Sequence, residues 1–585
     1  MNILTDNTTA PKLQQHKNST ANTLTDNTTP PKLQHFRQIL FWPLRLFLPE
    51  NVKEESKTDG FARAIERHLT QSEKDRKNKW KVLDDLQGRG MGSEQVTRYA
   101  EFVYFHPFIR RFLYGDPYNP DNEKALHICQ RTDVKTVQIT LRKGQTYQFN
   151  VDRIHLYLFN IEATLLVVEI SSTNLANAPL CHIENLLDQF RHAYPPYWDK
   201  DGAGHSPKTV IFFDENQDQL AQSEYNNQQH YLDFVEKHQT SPVAYHWSFL
   251  LKPFVPRTLQ KSNKKSNNIS YEQIEDERIP HMAFLAFDKI TSLSKGDLMR
   301  LAFADEEGGS NTLPCSTLFS EDFEAKYCYD RFWENPEYQG KNPQHNWMTT
   351  RYLCCGYAFT MIGQGGGFFT DVTAGAVAHF RHHYFQMGLI AHFHKAALLM
   401  LWDELAQAVA KFRKEHQSRQ QFHDEVRDIL EKLLHFTHRY WFTEVSNQIQ
   451  AKELFDMWSK HLGNRELFDR IMKEAQDAHQ YLEMDEQKQQ TETTVRLTVV
   501  ATLGLAIIFT LGFFGSNPTN LLGWEIPYGW KTILIVLSSF GAGVLFTVYH
   551  SKMFSCFIEV IAEKRFWKKT FWRLLWHCLK KKKVE

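Results

Sequence analysis

Histidine is dense in one helical stretch, residues 377–410, and imidazoles at helical spacing can bind a metal ion. His379 and His383 lie four residues apart, so that both rings can face the same side of a helix and share an ion. No cysteine or carboxylate accompanies them in a recognisable order. The alternative is that they are hydrogen-bonded histidines of an aromatic-rich helix, and this reading is the stronger one. The stretch also contains His382, His392 and His394.

No other spacing indicates an enzyme. Gly365, Gly366 and Gly367 follow no clear strand, and the chain has no Gly-x-x-x-x-Gly-Lys-Ser/Thr phosphate loop. No Ser-His-Asp or zinc-hydrolase spacing stands out either. The sequence therefore predicts no catalytic residues, no enzyme activity and no bound cofactor.

Composition excludes nucleic acid as an expected partner and points to a reducing compartment. The 585 residues contain 68 Lys and Arg against 68 Asp and Glu, so the formal net charge is zero. The eight cysteines show no Cys-x-x-Cys and no regular spacing, which is typical of reduced thiols in the cytosol. A repeat of LTDNTT begins at Leu4 and again at Leu24, and predicts a disordered extension over residues 1–36.

Two uncharged apolar stretches near the C-terminus predict membrane spans. Residues 497–514 read LTVVATLGLAIIFTLGFF and residues 532–549 read TILIVLSSFGAGVLFTVY. As helices, each would cover about 27 Å, enough for the hydrocarbon core. The basic, aromatic tail of residues 550–585 favours the cytoplasmic side, which places both termini in the cytoplasm and residues 515–531 outside. The expected location is the inner membrane, with the lipid bilayer as a partner.

A long helix is expected to lead into the first span. Gly463 and Asn464 form a stop-and-restart signal, and no proline follows until beyond residue 514. Such a stalk has little to bury alone, which favours self-association around an axis. The first span then ends on Gly515-Ser516-Asn517. By itself this triplet is typical of a helix end followed by a turn.

This C-terminal part resembles the CorA family of divalent-cation channels. The resemblance rests on residues 497–502 (LTVVAT), on 512–517 (GFFGSN) and on the order of stalk, span, short outer loop, second span and Lys-rich tail. It covers residues 465–583. Ser516 stands where the family has Met. The resemblance implies a homopentamer, and Mg²⁺ as the transported ion with Zn²⁺ or Co²⁺ as alternatives.

The resemblance also implies roles for individual residues. Asn517 would supply a ring of amide oxygens at the pore mouth that meets the ion through its water shell, with Gly515 and Ser516 shaping the turn. Glu525, in the outer loop, would attract cations. The pore-facing positions would line or gate the path, or would simply pack against the second span; they are Leu497, Ala501, Leu505 and Ile508.

The expected fold class is an α+β membrane protein with a large cytosolic α/β domain, a long stalk helix and a C-terminal two-helix transmembrane hairpin. Its expected segments are a disordered extension (1–36), a helical segment (37–99), the α/β domain (100–330), a helical region (331–463), the stalk (464–496), the two spans (497–514 and 532–549), the outer loop (515–531) and the tail (550–585). Six stretches of the α/β domain are expected to be strands: VKTVQITLRKG, QTYQFNV, EATLLVVEIS, TVIFFD near Val210, AYHWSFLL near Trp247 and HMAFLAFD near Phe284. The expected function is a homo-oligomeric channel that moves divalent cations, driven by membrane potential. The alternative is a membrane-anchored sensor or effector, whose hairpin is an anchor or a regulated pore.

Overall fold

The structure is a computed structural model. It describes residues 30–49, 52–53, 60–71, 79–83, 93–118, 124–200, 202–224, 227–260, 268–308, 323–329, 350–414 and 419–499, together with single positions between 504 and 542. All structural statements below concern these residues.

A mixed sheet of 13 strands organises the described residues. Its main path runs β12-β13-β11-β1-β6-β5-β4-β7-β8, with β2, β3, β9 and β10 paired off this path. The pairs β11–β13 and β9–β10 are parallel and the others are antiparallel. The strands are β1 (Leu33–Phe47), β2 (Trp80–Val82), β3 (Leu126–Arg131), β4 (Thr136–Thr140), β5 (Thr146–Phe159), β6 (Ala163–Ser172), β7 (Thr209–Phe213), β8 (Gln219–Glu224), β9 (Val255–Pro256), β10 (Ser270–Gln273), β11 (His281–Phe287), β12 (Arg351–Cys354) and β13 (Ala358–Gln364).

Fourteen α-helices lie among the described residues. They are α1 (Phe61–Gln71), α2 (Ser93–Tyr104), α3 (Pro107–Tyr114), α4 (Leu180–Gln189), α5 (Gln228–His238), α6 (Tyr245–Leu251), α7 (Arg257–Gln260), α8 (Lys295–Phe303), α9 (Phe323–Tyr327), α10 (Ala376–His379), α11 (Phe385–Lys414), α12 (Arg419–Arg439), α13 (Ile449–Leu462) and α14 (Asn464–Val499). A single π-helical turn, Phe380–Tyr384, joins α10 to α11.

Helices cover both faces of the sheet, as β1 shows. Successive side chains of a strand point to opposite faces. Trp42 lies 5.7 Å from the ring of Trp247 in α6, whereas Phe41 stacks on Phe385 of α11 with ring centroids 5.5 Å apart. Gln38, on the same face of β1 as Trp42, donates to the Leu187 carbonyl of α4. Helices α4 and α6 therefore lie on one side of β1, and α11 lies on the other.

Several segments differ from their expected secondary structure. β1 begins at Leu33, inside the expected disordered extension. Residues 351–364 of the expected helical region form β12 and β13, and the glycines 365–367, expected to follow no clear strand, come directly after β13. The segment expected to be helical from residue 37 begins instead with β1, which pairs with β6, β10 and β11. Helices bury both faces of β1, and its centre, residues 39–44 (ILFWPL), is an uninterrupted apolar run without the alternation of a strand that has one face in water. Residues 244–251, expected as a strand, form α6.

No helix in the described part of the chain is both long and apolar enough to cross a membrane. The expected membrane fold class, the expected description as a transmembrane ion-transport channel and the inner-membrane location are therefore wrong by this finding. Helix α14 covers the expected stalk and the first three residues of the first expected span, and it is not a spanning helix because it carries charged residues such as Arg465, Glu466 and Asp469, which are costly in hydrocarbon. Residues 500–514 and 532–549 lie outside the described residues except for single positions.

Candidate metal centre

Three side chains with metal-binding atoms meet beside the sheet. Asp188 lies in the last turn of α4, His192 follows that helix, and His205 lies in the next loop. One carboxylate oxygen and one nitrogen from each imidazole all lie within 4.8 Å of one another. This is the one group of three such ligands that the described residues contain.

The end of α4 is fixed by its packing. Ile183, Leu186 and Leu187 are buried against the sheet, which holds the helix by its apolar side. Gln38 of β1 donates from Nε2 to the Leu187 carbonyl at 3.1 Å. These contacts set the position of Asp188, one residue further along the helix.

The two histidines are held by short backbone pairings. His192 forms an antiparallel bridge with Arg278. The loop that carries His205 turns back on itself through a bridge between Trp198 and Gly204, and the His205 amide donates to the Tyr197 carbonyl at 3.0 Å. The His192 and His205 rings have centroids 5.8 Å apart.

The Asp188 carboxylate lies between the two imidazoles. Its Oδ2 is 3.1 Å from Nε2 of His205, and its Oδ1 is 3.5 Å from Nε2 of His192. Asp188 is 4 % exposed, His192 is fully buried and His205 is 7 % exposed. The other nitrogen of His205, Nδ1, lies 3.0 Å from the Tyr197 hydroxyl and 3.6 Å from Oε2 of Glu306.

The electrostatics keep two of the three groups in the protonation state that a metal requires. Burial raises the pKa of Asp188, but hydrogen bonds with His192 and His205 and the charge of Arg191 outweigh it and hold the pKa below its ordinary value. Burial lowers the pKa of His192 more than Asp188 raises it. A carboxylate and a neutral imidazole are the ligand forms, so neither group must lose a proton at neutral pH.

Two imidazoles and a carboxylate favour zinc or a transition metal. Zn²⁺, Co²⁺ and Ni²⁺ accept imidazole nitrogen readily, whereas Mg²⁺ prefers oxygen ligands. The hydrogen bond between His205 Nδ1 and the Tyr197 hydroxyl is of the kind that commonly orients a metal-binding histidine. Three protein ligands leave at least one coordination position open.

The residues expected to form a pore are mostly outside the described part of the chain. This holds for Gly515, Ser516, Asn517, Glu525, Ala501 and Leu505. Leu497 lies in α14 and is half-buried, and Ile508 is 65 % exposed. Their roles at a pore stay predictions, as do the homopentamer and the transported ion.

The histidine-rich stretch is separate from the metal-ligand group. The rings of His379 and His383 are 4.9 Å apart, close enough for contact, but no third ligand joins them within the described residues. His382 Nδ1 lies 2.7 Å from Oε2 of Glu101, and His394 Nε2 lies 2.6 Å from the Tyr440 carbonyl. Hydrogen bonds of this kind match the alternative reading of an aromatic-rich helix.

Sequence reasoning missed the Asp188 group, although part of its signal is visible. Asp188 and His192 have i, i+4 spacing at the end of an apolar-faced helix, LCHIENLLDQ followed by FRH. The third ligand comes from a loop whose fold the sequence does not reveal. Comparisons with protein-family models, curated proteins and solved structures find no match. The resemblance to the CorA family therefore stays a prediction.

Proposed function

We propose that the protein binds a divalent transition-metal ion through Asp188, His192 and His205. The observation that supports this is the approach of all three ligand atoms to within 4.8 Å of one another in a buried site. The resemblance implied a divalent ion as transported cargo and not as a bound ligand, and this site favours Zn²⁺, Co²⁺ or Ni²⁺ over Mg²⁺.

The bound ion would link helix α4 to the loop that carries His205. Asp188 belongs to α4, whereas His205 belongs to the loop closed by Trp198 and Gly204. An ion bound to both joins two segments that are otherwise linked here by side-chain hydrogen bonds. Because the ion binds the folded site only, its free energy of binding adds to stability. A metal-responsive binding protein is therefore the function that this geometry favours best.

The test is metal binding by the full chain and by variants of each ligand. In calorimetry we expect one Zn²⁺ or Co²⁺ ion to bind per chain. Bound Co²⁺ should give a visible absorption spectrum that indicates a low coordination number of the ion. His205→Gln and Asp188→Asn should weaken binding by at least about tenfold, as loss of one ligand or its orienting partner commonly does. At 100 times Kd the ion should add about 2.7 kcal/mol to the free energy of unfolding.

His182→Gln is the matched control. His182 also belongs to α4, but its Nδ1 lies 2.6 Å from the Tyr147 hydroxyl and it is not part of the ligand group. It should bind metal like the original chain. Equal affinity in His182→Gln and His205→Gln, with both variants folded by circular dichroism, would contradict the proposal.

A further inference from the structure

A buried arginine lies against the metal-ligand group. Arg191 is 1 % exposed, and its NH2 lies 3.8 Å from Oδ1 of Asp188, the oxygen that His192 also approaches. The same NH2 donates to the Ala304 carbonyl at 3.2 Å, and the guanidinium lies 5.2 Å from the centre of the Tyr357 ring. The positive charge is thus fixed within a few ångströms of the proposed ion.

Two nitrogens of the Arg191 guanidinium lack a hydrogen-bond acceptor among the described residues. They are Nε and NH1, and both are buried. A guanidinium carries five N–H donors, and leaving buried donors unpaired is costly. Buried charged groups in proteins are normally paired with acceptors. A ligand with oxygen acceptors would satisfy these donors.

The charge balance leads to the same requirement. Without a metal, the charges of Arg191 and Asp188 offset each other. A divalent ion adds two positive charges, and within the described residues the further carboxylate near the ligands is Glu306, which is 52 % exposed in its side chain. A buried site with excess positive charge is unfavourable in a low dielectric. An anion that enters with the metal would restore the balance.

Charged groups of both signs lie on the exposed side of the site. Tyr197 is 46 % exposed and stacks on His205 with ring centroids 4.6 Å apart. Burial and the charges of Glu306 and Asp188 raise the pKa of Tyr197, and the charges of Arg142 and Arg278 oppose this only in part. Arg142 pairs with Asp199, and Arg278 lies 3.5 Å from Glu277. These two guanidinium groups are thus offset by carboxylates, and the donors that remain for an anion are those of Arg191.

We propose that the metal ion binds together with a small oxyanion, which occupies an open coordination position of the metal and accepts hydrogen bonds from Arg191. The inference rests on the proposed metal site. Phosphate and carboxylate share the required chemistry, since both offer oxygen atoms to a metal and to a guanidinium. Metal and oxyanion should then strengthen each other's binding by the same factor, because coupling between two binding equilibria is reciprocal.

The experiment measures this coupling on the full chain. Co²⁺ is titrated by calorimetry in chloride alone, with inorganic phosphate and with acetate. We expect phosphate, acetate or both to tighten the Co²⁺ Kd by at least about tenfold, and the effective anion identifies the source. Co²⁺ should also broaden the ³¹P resonance of phosphate with the original chain, but not with His205→Gln.

Arg191→Lys tests the residue, and Arg257→Lys is the matched control. Lysine keeps the positive charge but lacks the paired N–H donors of a guanidinium. The anion should therefore tighten the Co²⁺ Kd of Arg191→Lys by less than about threefold. Arg257 pairs with Glu272 at 2.7 Å, and its substitution should leave the coupling unchanged. If Arg191→Lys does not fold, the anion series and the ³¹P broadening in the original chain decide.

The outcomes separate the two proposals. Co²⁺ binding that no anion strengthens, or coupling that persists in a folded Arg191→Lys, overturns the oxyanion inference and leaves the metal site standing. No Co²⁺ or Zn²⁺ binding with or without an anion overturns both. Binding of Co²⁺ only in the presence of phosphate or acetate supports both.

Discussion

Glu169 on β6 lies fully buried, and three arginines approach its carboxylate. Arg37 of β1 pairs with Oε1, Arg381 donates to Oε1 from Nε at 2.9 Å, and Arg153 of β5 approaches Oε2 with Nε at 3.0 Å. Burial raises the pKa of Glu169, but the three guanidinium charges outweigh it and hold the pKa well below its ordinary value. The carboxylate is the centre of this cluster because it is the anion that all three arginines share.

Removing the Glu169 charge should therefore destabilise the fold strongly. Glu169→Gln keeps the shape but leaves the buried Arg37 and the partly exposed Arg153 and Arg381 without their shared anion. Loss of one partner of a buried ion pair typically costs about 3–5 kcal/mol. The free energy of unfolding from urea denaturation measures the effect. Asp152→Asn is the control, because Asp152 contacts Arg37 at 2.9 Å but its side chain is 27 % exposed. A loss in Glu169→Gln no larger than in Asp152→Asn would show that the cluster does not depend on Glu169.

Glu184 of α4 has the opposite electrostatic character. It is 2 % exposed, and burial together with the charge of Asp297 raises its pKa to about 8. The folded state then keeps a proton that the unfolded state releases near pH 4.5. Between these two values the folded state binds more protons, so that the free energy of unfolding falls as pH rises.

The Glu184 prediction is a difference in pH dependence. Between pH 5 and pH 8 the original chain should lose up to about 1.4 kcal/mol per pH unit through this group, and Glu184→Gln should remove that contribution. Urea denaturation at four pH values measures both slopes. Glu272→Gln, at an exposed carboxylate paired with Arg257, should keep the original slope. Identical slopes in all three proteins would mean that Glu184 is ionised in the folded state.

At the scale of elements, the sequence predicted several strands because their hydrophobic alternation is local information. The predicted strand segments near residues 137, 149, 167, 211 and 284 lie in β4, β5, β6, β7 and β11. The helix break predicted at Gly463 lies between α13 and α14, where Gly463 has φ 68° and Leu462 ends the preceding helix.

The elements that the sequence did not predict are those decided by distant partners. β1 is a strand because β6 and β11 pair with it along most of its length, and neither partner is near in sequence. The apolar run in α6 would also suit a strand. Its helical form places Trp247 where it donates to the His192 carbonyl at 3.0 Å and packs on Trp42, and both partners are distant in sequence. The metal-ligand group depends on the same long-range information, because His205 reaches Asp188 only through a loop.

Helix α11 approaches α13 through a glycine. A Cβ at Gly388 would lie 2.6 Å from Cη2 of Trp458, and the Trp458 indole donates to the Gly356 carbonyl at 2.9 Å. In an exposed helix, Gly→Ala commonly stabilises by about 1 kcal/mol. Here we expect Gly388→Ala to destabilise by about 1–3 kcal/mol instead, because the methyl group overpacks a fixed ring.

A double-mutant cycle separates this packing effect from helix propensity. Trp458→Phe removes the ring atoms that the new methyl group would meet, at the expense of the indole hydrogen bond. Adding Gly388→Ala to Trp458→Phe should then be neutral or stabilising, which gives a coupling of at least about 1–3 kcal/mol in urea denaturation. Additive effects of the two substitutions would show that the ring does not limit the space at position 388.

At the scale of the whole molecule, the chain divides into two compact units. One comprises Met1–Gln407 and Ile429–Ile471, and the other Ala408–Asp428 and Met472–Glu585. The first unit contains the entire sheet, the metal-ligand group and the Glu169 cluster. It also buries many histidines, and this gives the unit a distinctive response to acid.

Five histidines of the first unit are held neutral, with burial as the largest cause. Burial lowers the pKa of His246 and His392 to about 3 and that of His35, His383 and His394 to about 4, with nearby positive charges contributing at His35, His383 and His392. In the unfolded state these side chains titrate near 6.5. As pH falls from 6.5 towards 4, the unfolded state binds more protons than the folded state does, so the free energy of unfolding falls.

The first unit should therefore unfold cooperatively in mild acid, above the pH at which its ion-paired carboxylates titrate. Near-UV circular dichroism against pH should show the transition, and calorimetry in two buffers should show uptake of several protons on unfolding. His246 lies among the rings of Phe190, Phe212 and Trp247, so phenylalanine suits the site. His246→Phe should remove one of these protons and lower the slope by up to about 1.4 kcal/mol per pH unit. His230→Gln, at an exposed histidine of α5, should leave the slope unchanged. Unchanged proton uptake in His246→Phe would mean that His246 is protonated in the folded protein. Burial would then not explain the acid sensitivity even at His246, where burial is the cause of the lowered pKa.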